Sequence, residues 1–165
     1  MNYDPDIHHR RSVRLKGYDY SLKGLYFITI CTQNNRCLFG DITDGVISLN
    51  EAGKMIESWY HEIPNKFPDY VCLEHMVMPN HFHCIWMNKG ETGQNLIDVI
   101  HWFKTMTTNE YIRNVHTNNW LPFNKRLWQR EYFEHIIPNQ HAYQEIADYI
   151  LSNPLKWSND KYFVK

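Results

Sequence analysis

Residues 81–87, His-Phe-His-Cys-Ile-Trp-Met, constrain the fold more than any other stretch of the chain. Successive side chains of a strand point to opposite faces, so His81, His83 and Ile85 share one face and Phe82, Cys84 and Trp86 the other. The second set is wholly apolar and belongs in a core. The first carries two imidazoles a little under ~7 Å apart at the backbone, close enough to converge on one metal ion. The segment therefore asks for a sheet with one packed face and one surface-facing, chemically equipped face. By itself the pattern fits a pair of half-exposed strand histidines at least as well.

The neighbouring segments say what surrounds this strand. Gly24 to Cys31 is rich in β-branched and aromatic residues and reads as a strand. Asp44-Gly45 is a hairpin turn signal. Ser48 followed by Glu51 has the form of a capping box, and Ala52, Met55, Ile56, Trp59 and Ile63 then recur at helical spacing until Pro64 closes the segment. Tyr70 to Met78 reads as a strand, and Pro79-Asn80 separates it from residues 81–87, so the two lie side by side. A second helix runs from Asn95 to about Arg113, Leu127 to Ile137 is strand-like, and a last helix spans Gln140 to Ser152. It stops at Asn153-Pro154, because the residue before proline is disfavoured in the helical region. This order predicts an α+β domain, an antiparallel sheet with helices packed on it.

A chain of 165 residues with 43% hydrophobic and 15% aromatic content can bury a core as one domain. The four cysteines form no C-x-x-C pair, which argues against a structural zinc site or a disulfide framework. No apolar run reaches the ~20 residues of a membrane helix, and the polar N-terminus lacks a signal-peptide core. A cytoplasmic, nucleoid-associated protein is the expectation. Net charge is −1, yet the charges are sorted. Residues 8–24 hold five basic residues (Arg10, Arg11, Arg14, Lys16 and Lys23) against one acid, and residues 100–130 hold Lys104, Arg113, Lys125, Arg126 and Arg130 against one acid. Such clusters suit either a solvated surface or a basic face for nucleic acid. Residues 1–20 read as a basic arm leading into a single domain of residues 21–165.

On the last helix, Tyr149 and Asn153 are four residues apart and so project from one face, a turn apart. Packing and capping roles would explain both. Together with the histidine pair, however, they complete a pattern. Val77–Trp86, VMPNHFHCIW, resembles the MPNH-x-H segment of the single-tyrosine HUH transposases, especially the REP-associated tyrosine transposases. Arg14–Asn34 is similar to that family's N-terminal segment. Trp128–Ile137, WQREYFEHII, resembles its strand before the last helix, and Asp148–Trp157, DYILSNPLKW, its Y-I-x-x-N-P helix end. The four blocks stand in the family's order and cover most of residues 14–157.

The resemblance implies a ferredoxin-like HUH nuclease fold, with His81 and His83 as ligands of a divalent metal, Mg²⁺ or Mn²⁺. It implies Tyr149 as the nucleophile and Asn153 as a third ligand. Gln129 and His135 match recurrent positions but receive no role. The implied substrate is single-stranded DNA with a hairpin beside the cut, joined through a 5′-phosphotyrosine that conserves bond energy. Arg10, Arg11, Arg14, Lys16, Lys104, Arg126 and Arg130 would then contact the DNA backbone, and Tyr18, Tyr20, Trp120 and Trp128 would stack on bases. Relatives act as homodimers or as monomers, and both assemblies stay open. Three functions are compatible with these residues: a transposase or single-strand nuclease, a domesticated hairpin-binding relative, and a metal hydrolase with water as nucleophile. The last gives Tyr149 no job.

Overall fold

A computed structural model describes residues 15–164 of the chain. Its elements run β1 (Gly24–Cys31), β2 (Gly40–Thr43), β3 (Val46–Leu49), α1 (Glu51–Lys66), β4 (Tyr70–Val77), β5 (His81–Asn88), α2 (Leu96–Thr117), β6 (Phe133–Ile137) and α3 (Gln140–Ser152). Four strands form one antiparallel sheet in the order β4-β5-β1-β6. The path β1-α1-β4-β5-α2-β6 through that order is the ferredoxin-like arrangement, to which α3 adds a further layer. β2 and β3 make a separate hairpin. Its turn places Asp44 and Gly45 at φ 51° and 76°, the left-handed pair that a two-residue hairpin needs.

β5 is covered on both faces, and each face has its own cluster. Phe82, Cys84 and Trp86 join Tyr26, Ile28 and Ile30 of β1 beneath α1 and α2, in the larger core. Ile85, Phe27 and Ile137 meet Ala147 and Ile150 of α3 on the other side. β1 and β5 are in register from Gly24 opposite Asn88 to Cys31 opposite His81, which sets Thr29 directly across from His83. The four cysteines are unpaired.

Several boundaries differ from the sequence reading, each for a local reason. Ser48 lies in β3, and Asn50 caps α1 instead, its Oδ1 accepting from the Gly53 N–H at 2.9 Å. Pro64 does not close α1, which runs on to Lys66. A proline there removes the donor for the Tyr60 carbonyl, and the Cys72 thiol supplies a replacement at 3.1 Å. α2 continues to Thr117 because Tyr111 and Val115 still pack into the core. The strand expected from Leu127 contracts to residues 133–137, with one bridge from Trp128 to Thr32. Trp128 turns inward, donating from Nε1 to Thr107 Oγ1 at 2.9 Å, and residues 129–132 between that bridge and β6 are not in strand. Asn153 stays helical at φ −57° and ψ −42° despite the following proline, and the chain tightens into a 3-10 segment through Asn159. No helix among the described residues is long and apolar enough to cross a membrane.

Candidate metal and nucleophile site

His81 and His83 are not surface-facing. Both are buried, at 0% and 1% exposure. Strand pleating puts them on the α3 face, and residues after α3 close over them. The Tyr162 ring lies 4.7 Å from the His81 ring and the Trp157 ring 6.1 Å from it. This cover could not be read from local periodicity, since it depends on where the chain goes after Pro154.

The two imidazoles face each other, Nε2 to Nε2, at 3.0 Å. Their Nδ1 atoms are both engaged behind them. His81 Nδ1 is 2.8 Å from Asn80 Oδ1. Asn80 Nδ2 donates to the carbonyls of Asn35 and Tyr162, so the amide orientation is fixed and its oxygen must accept. His81 therefore carries its proton on Nδ1 and presents a lone pair at Nε2. His83 Nδ1 is 2.8 Å from Thr29 Oγ1, a hydroxyl able to donate or accept. With Thr29 donating, His83 Nε2–H satisfies the His81 lone pair; with Thr29 accepting, both Nε2 lone pairs point at one spot. The second state needs a cation between the rings. Partners of this kind behind metal-binding histidines fix ring and tautomer.

Burial keeps both rings neutral, the form in which imidazole binds metals. Desolvation draws the His81 pKa down to about 4, against a smaller upward pull from Asp160 and Asn153. His83 is likewise well below the ordinary histidine value, through burial first and His81 second.

α3 brings the other predicted residues to the same place. Asn139 caps it, accepting from the Ala142 N–H at 2.9 Å, and the Tyr143 hydroxyl ties it to Glu74 of β4 at 2.6 Å. The Tyr149 ring sits 5.3 Å from that of His83 and 6.1 Å from that of Phe27. One turn on, Asn153 is 1% exposed, and its Oδ1 has no hydrogen-bond partner among the described residues. A buried acceptor left unsatisfied is costly, and a cation at the histidines would offset that cost. The Tyr149 phenol is raised above its ordinary pKa by burial first and then by the charge of Asp160, while the Asn153 amide favours the ionised form.

Asp160 is the residue that sequence reasoning missed. Ligand atoms of His81, His83 and Asp160 all lie within 4.8 Å of one another. A single acid beyond the last periodic element carries no spacing signal, so nothing local marks it. Two imidazole nitrogens, a carboxylate and an amide oxygen make a mixed donor set that suits Mn²⁺ and, with waters, Mg²⁺. The residues present thus fit a divalent ion.

The basic residues divide into groups. Arg10, Arg11 and Arg14 lie outside the described residues, and Lys16 is exposed. Arg126 and Arg130 are exposed and, with Lys125, line a groove of about 420 Å³ that reaches Phe123 and Ile112. The Lys104 ammonium donates to the carbonyls of Gln129 at 2.8 Å and Arg130 at 3.1 Å, and desolvation draws its pKa down to about 8. Of the aromatics expected to stack on bases, Tyr20 and Trp128 are core residues, whereas Tyr18 and Trp120 are partly exposed.

The sequence model of IS200-like transposases matches residues 27–153. An uncharacterized protein of Haemophilus influenzae is 35% identical, over 98% of this chain and 97% of its own length. A protein of the same organism, named as a REP-associated tyrosine transposase, is 26% identical over 84% of this chain and 74% of its own. Among solved structures, a REP-associated tyrosine transposase bound to a REP hairpin superposes with a TM-score of 0.61 at 23% identity, covering 87% of this chain and 74% of that one. A transposase-like protein of Deinococcus radiodurans does so with 0.53 at 16%, covering 84% and 96%. At these identities the structural likeness speaks for the fold.

Proposed function

The chain belongs to the family of IS200-like transposases, DNA-processing enzymes, and from that premise we propose that it cuts and rejoins single-stranded DNA beside a hairpin through a covalent tyrosine link. Tyr149 is the nucleophile. His81, His83, Asp160 and Asn153 hold the metal ion. The observation that carries the reading is the pair of Nε2 atoms 3.0 Å apart, backed on their far sides by Asn80 and Thr29 and flanked by the phenol of Tyr149.

Tyr149 Oη attacks the phosphorus, the P–O3′ bond breaks, and the 3′ oxygen leaves with a proton. The product is a 5′-phosphotyrosine and a free 3′-OH. Attack by a 3′-OH on that ester runs the same step backwards, so joining needs no nucleotide cofactor. A bound Mg²⁺ or Mn²⁺ supplies Lewis-acid neutralisation of the charge on the non-bridging phosphate oxygens. A phenol with an ordinary pKa near ~10 is a weak nucleophile at neutral pH. Here burial and the Asp160 charge hold its proton more firmly still, and the Asn153 amide alone favours release. Deprotonation therefore becomes easier once the Asp160 charge is balanced. Burial of the histidines keeps them neutral, so they bind and orient and do not take the proton.

The hairpin substrate is taken from the DNA-bound relative. Arg126 and Arg130, with Lys16 and the arm of residues 1–20 that carries Arg10, Arg11 and Arg14, supply phosphate contacts. Lys104 acts behind them, since its ammonium is committed to the backbone that carries Arg130. The test is cleavage of single-stranded hairpin DNA in Mn²⁺. His81→Ala and His83→Ala should each reduce cutting to background, and EDTA should do the same to the unmodified protein. Undiminished cutting by the double variant in EDTA would sink the metal assignment.

A further inference from the structure

We infer that Gln129 is a positioning residue for the metal centre: its amide fixes the loop that orients Asn80, and Asn80 fixes the ring of His81. This rests on the reading of His81 as a ligand. Gln129 touches neither histidine and acts through two other amides.

The connection is continuous. Residues 33–36 leave β1 in a tight loop in which Asn34 and Asn35 both adopt left-handed backbone, φ 59° and 52°. Asparagine is among the few residues that tolerate this conformation, and ties from outside hold the loop in it. Gln129 provides them. Its Nε2 donates to the Thr32 carbonyl at 3.1 Å and to Asn35 Oδ1 at 3.0 Å, and its backbone N–H donates to the Cys31 carbonyl at 2.8 Å. The Asn35 carbonyl, held in place by this clamp, accepts from Asn80 Nδ2 at 3.0 Å. The second proton of that amide goes to Tyr162 at 2.7 Å, so Asn80 Oδ1 is left facing His81 Nδ1 at 2.8 Å. Asn80 is fully buried, so its amide depends on the partners that the fold places around it. Gln129 is itself anchored, because Lys104 of α2 donates to its carbonyl.

The chemistry explains why the residue is a glutamine. Two acceptors must be reached at once by one planar amide, so two N–H groups are required. Glutamate has the same shape and no donor. Without the clamp, Asn35 and then Asn80 lose their fixed positions, and His81 is free to place its proton on Nε2, where it blocks metal binding.

The experiment compares the full chain with Gln129→Ala, Gln129→Glu and a control, Gln94→Ala. Gln94 also pins a loop, accepting from the Asp69 N–H at 3.1 Å, at the opposite end of β5. Two quantities are read: the ¹⁵N shifts of His81 in metal-free protein near pH 8, and Mn²⁺ affinity from the paramagnetic signal of the free ion. The unmodified chain should show His81 protonated on Nδ1 alone. Both Gln129 variants should show mixed tautomers and about tenfold weaker Mn²⁺ binding, the lower end of what partners behind metal ligands contribute. The control should lose thermal stability and keep both readouts. If a Gln129 variant fails to fold, Asn35→Gly, which removes the side-chain acceptor and keeps the left-handed backbone accessible, takes its place. Wild-type tautomer and affinity in the Gln129 variants would overturn the proposal. Equal Mn²⁺ affinity in the unmodified chain and His81→Ala would instead remove the metal reading, and the metal-free shifts would still decide the positioning role.

Discussion

The two faces of the sheet are built from the same strands and do opposite work. Beneath α1 and α2, the alternate residues Tyr26, Ile28 and Ile30 of β1 and Phe82, Cys84 and Trp86 of β5 are apolar, and Trp86, Phe82, Tyr26 and Phe103 are buried without remainder. Beneath α3, the other alternate residues include Thr29, His81 and His83, equally buried but polar, and the apolar cluster shrinks to a few side chains around Phe27 and Ile85. Area removed from water stabilises the first face at roughly 25 cal/mol per Å². The second contributes less, because neutral imidazoles, an orphaned amide oxygen and a carboxylate oppose burial. A cation bound as proposed would offset part of that loss.

This contrast can be broken by mutation, and the largest effect belongs to the apolar face. Trp86→Ala should cost about 3–5 kcal/mol in denaturant unfolding, the range for large aromatics in a packed core. A loss of about 1 kcal/mol would mean that the α1/α2 face is not the main source of stability.

The second effect is a pH dependence confined to the other face. His81 and His83 have folded pKa values below the unfolded value of about 6.5, so the unfolded chain binds more protons in acid. In metal-free protein their contribution is complete above about pH 6.5. It is lost as pH falls toward the His81 value of about 4, by about 3 kcal/mol for that ring. Urea unfolding between pH 8 and 4.5 should show this slope, and a His81→Ala, His83→Ala double variant should flatten it. An equal slope in the double variant would place the acid sensitivity elsewhere.

A third, smaller pair of changes separates framework from surface. Lys104→Met leaves two carbonyls without their donor and should cost about 2 kcal/mol. Arg126→Ala should change stability by less than about 0.5 kcal/mol while lowering the salt slope of hairpin binding by about 0.7. The reverse assignment, a flat stability for Lys104→Met with a large loss of salt slope, would return Lys104 to the DNA surface. At the start of α3, Asn139→Ala should cost about 1 kcal/mol through loss of the cap.

The contrast between the faces also marks what could be read in advance. Period-two alternation at residues 81–87 separates core side chains from histidines, and the i,i+4 spacing of Tyr149 and Asn153 puts them on one helix face; both are local rules. The antiparallel α+β order follows from the same rules. Burial of the histidines does not, because Tyr162 and Trp157 cover His81 from a segment without periodicity. Asp160 escapes for the same reason. Asn80 reads as a turn residue beside proline, and only the tertiary structure shows both of its amide protons committed and its oxygen aimed at His81. Lys104 looks like a surface cation by sequence, and becomes a backbone clamp only because residues 129–130 fold over it.

The central claim is that the α3 face holds a tyrosine nucleophile beside a metal site, and one substitution addresses it. Tyr149→Phe removes a single oxygen and keeps the ring against Phe27 and His83. Incubation of both proteins with single-stranded hairpin DNA and Mn²⁺, followed by a denaturing gel, reads the covalent protein–DNA band. The unmodified chain should form it, and Tyr149→Phe should form none while unfolding within about 1 kcal/mol of the parent. A band of undiminished intensity from Tyr149→Phe would contradict the account.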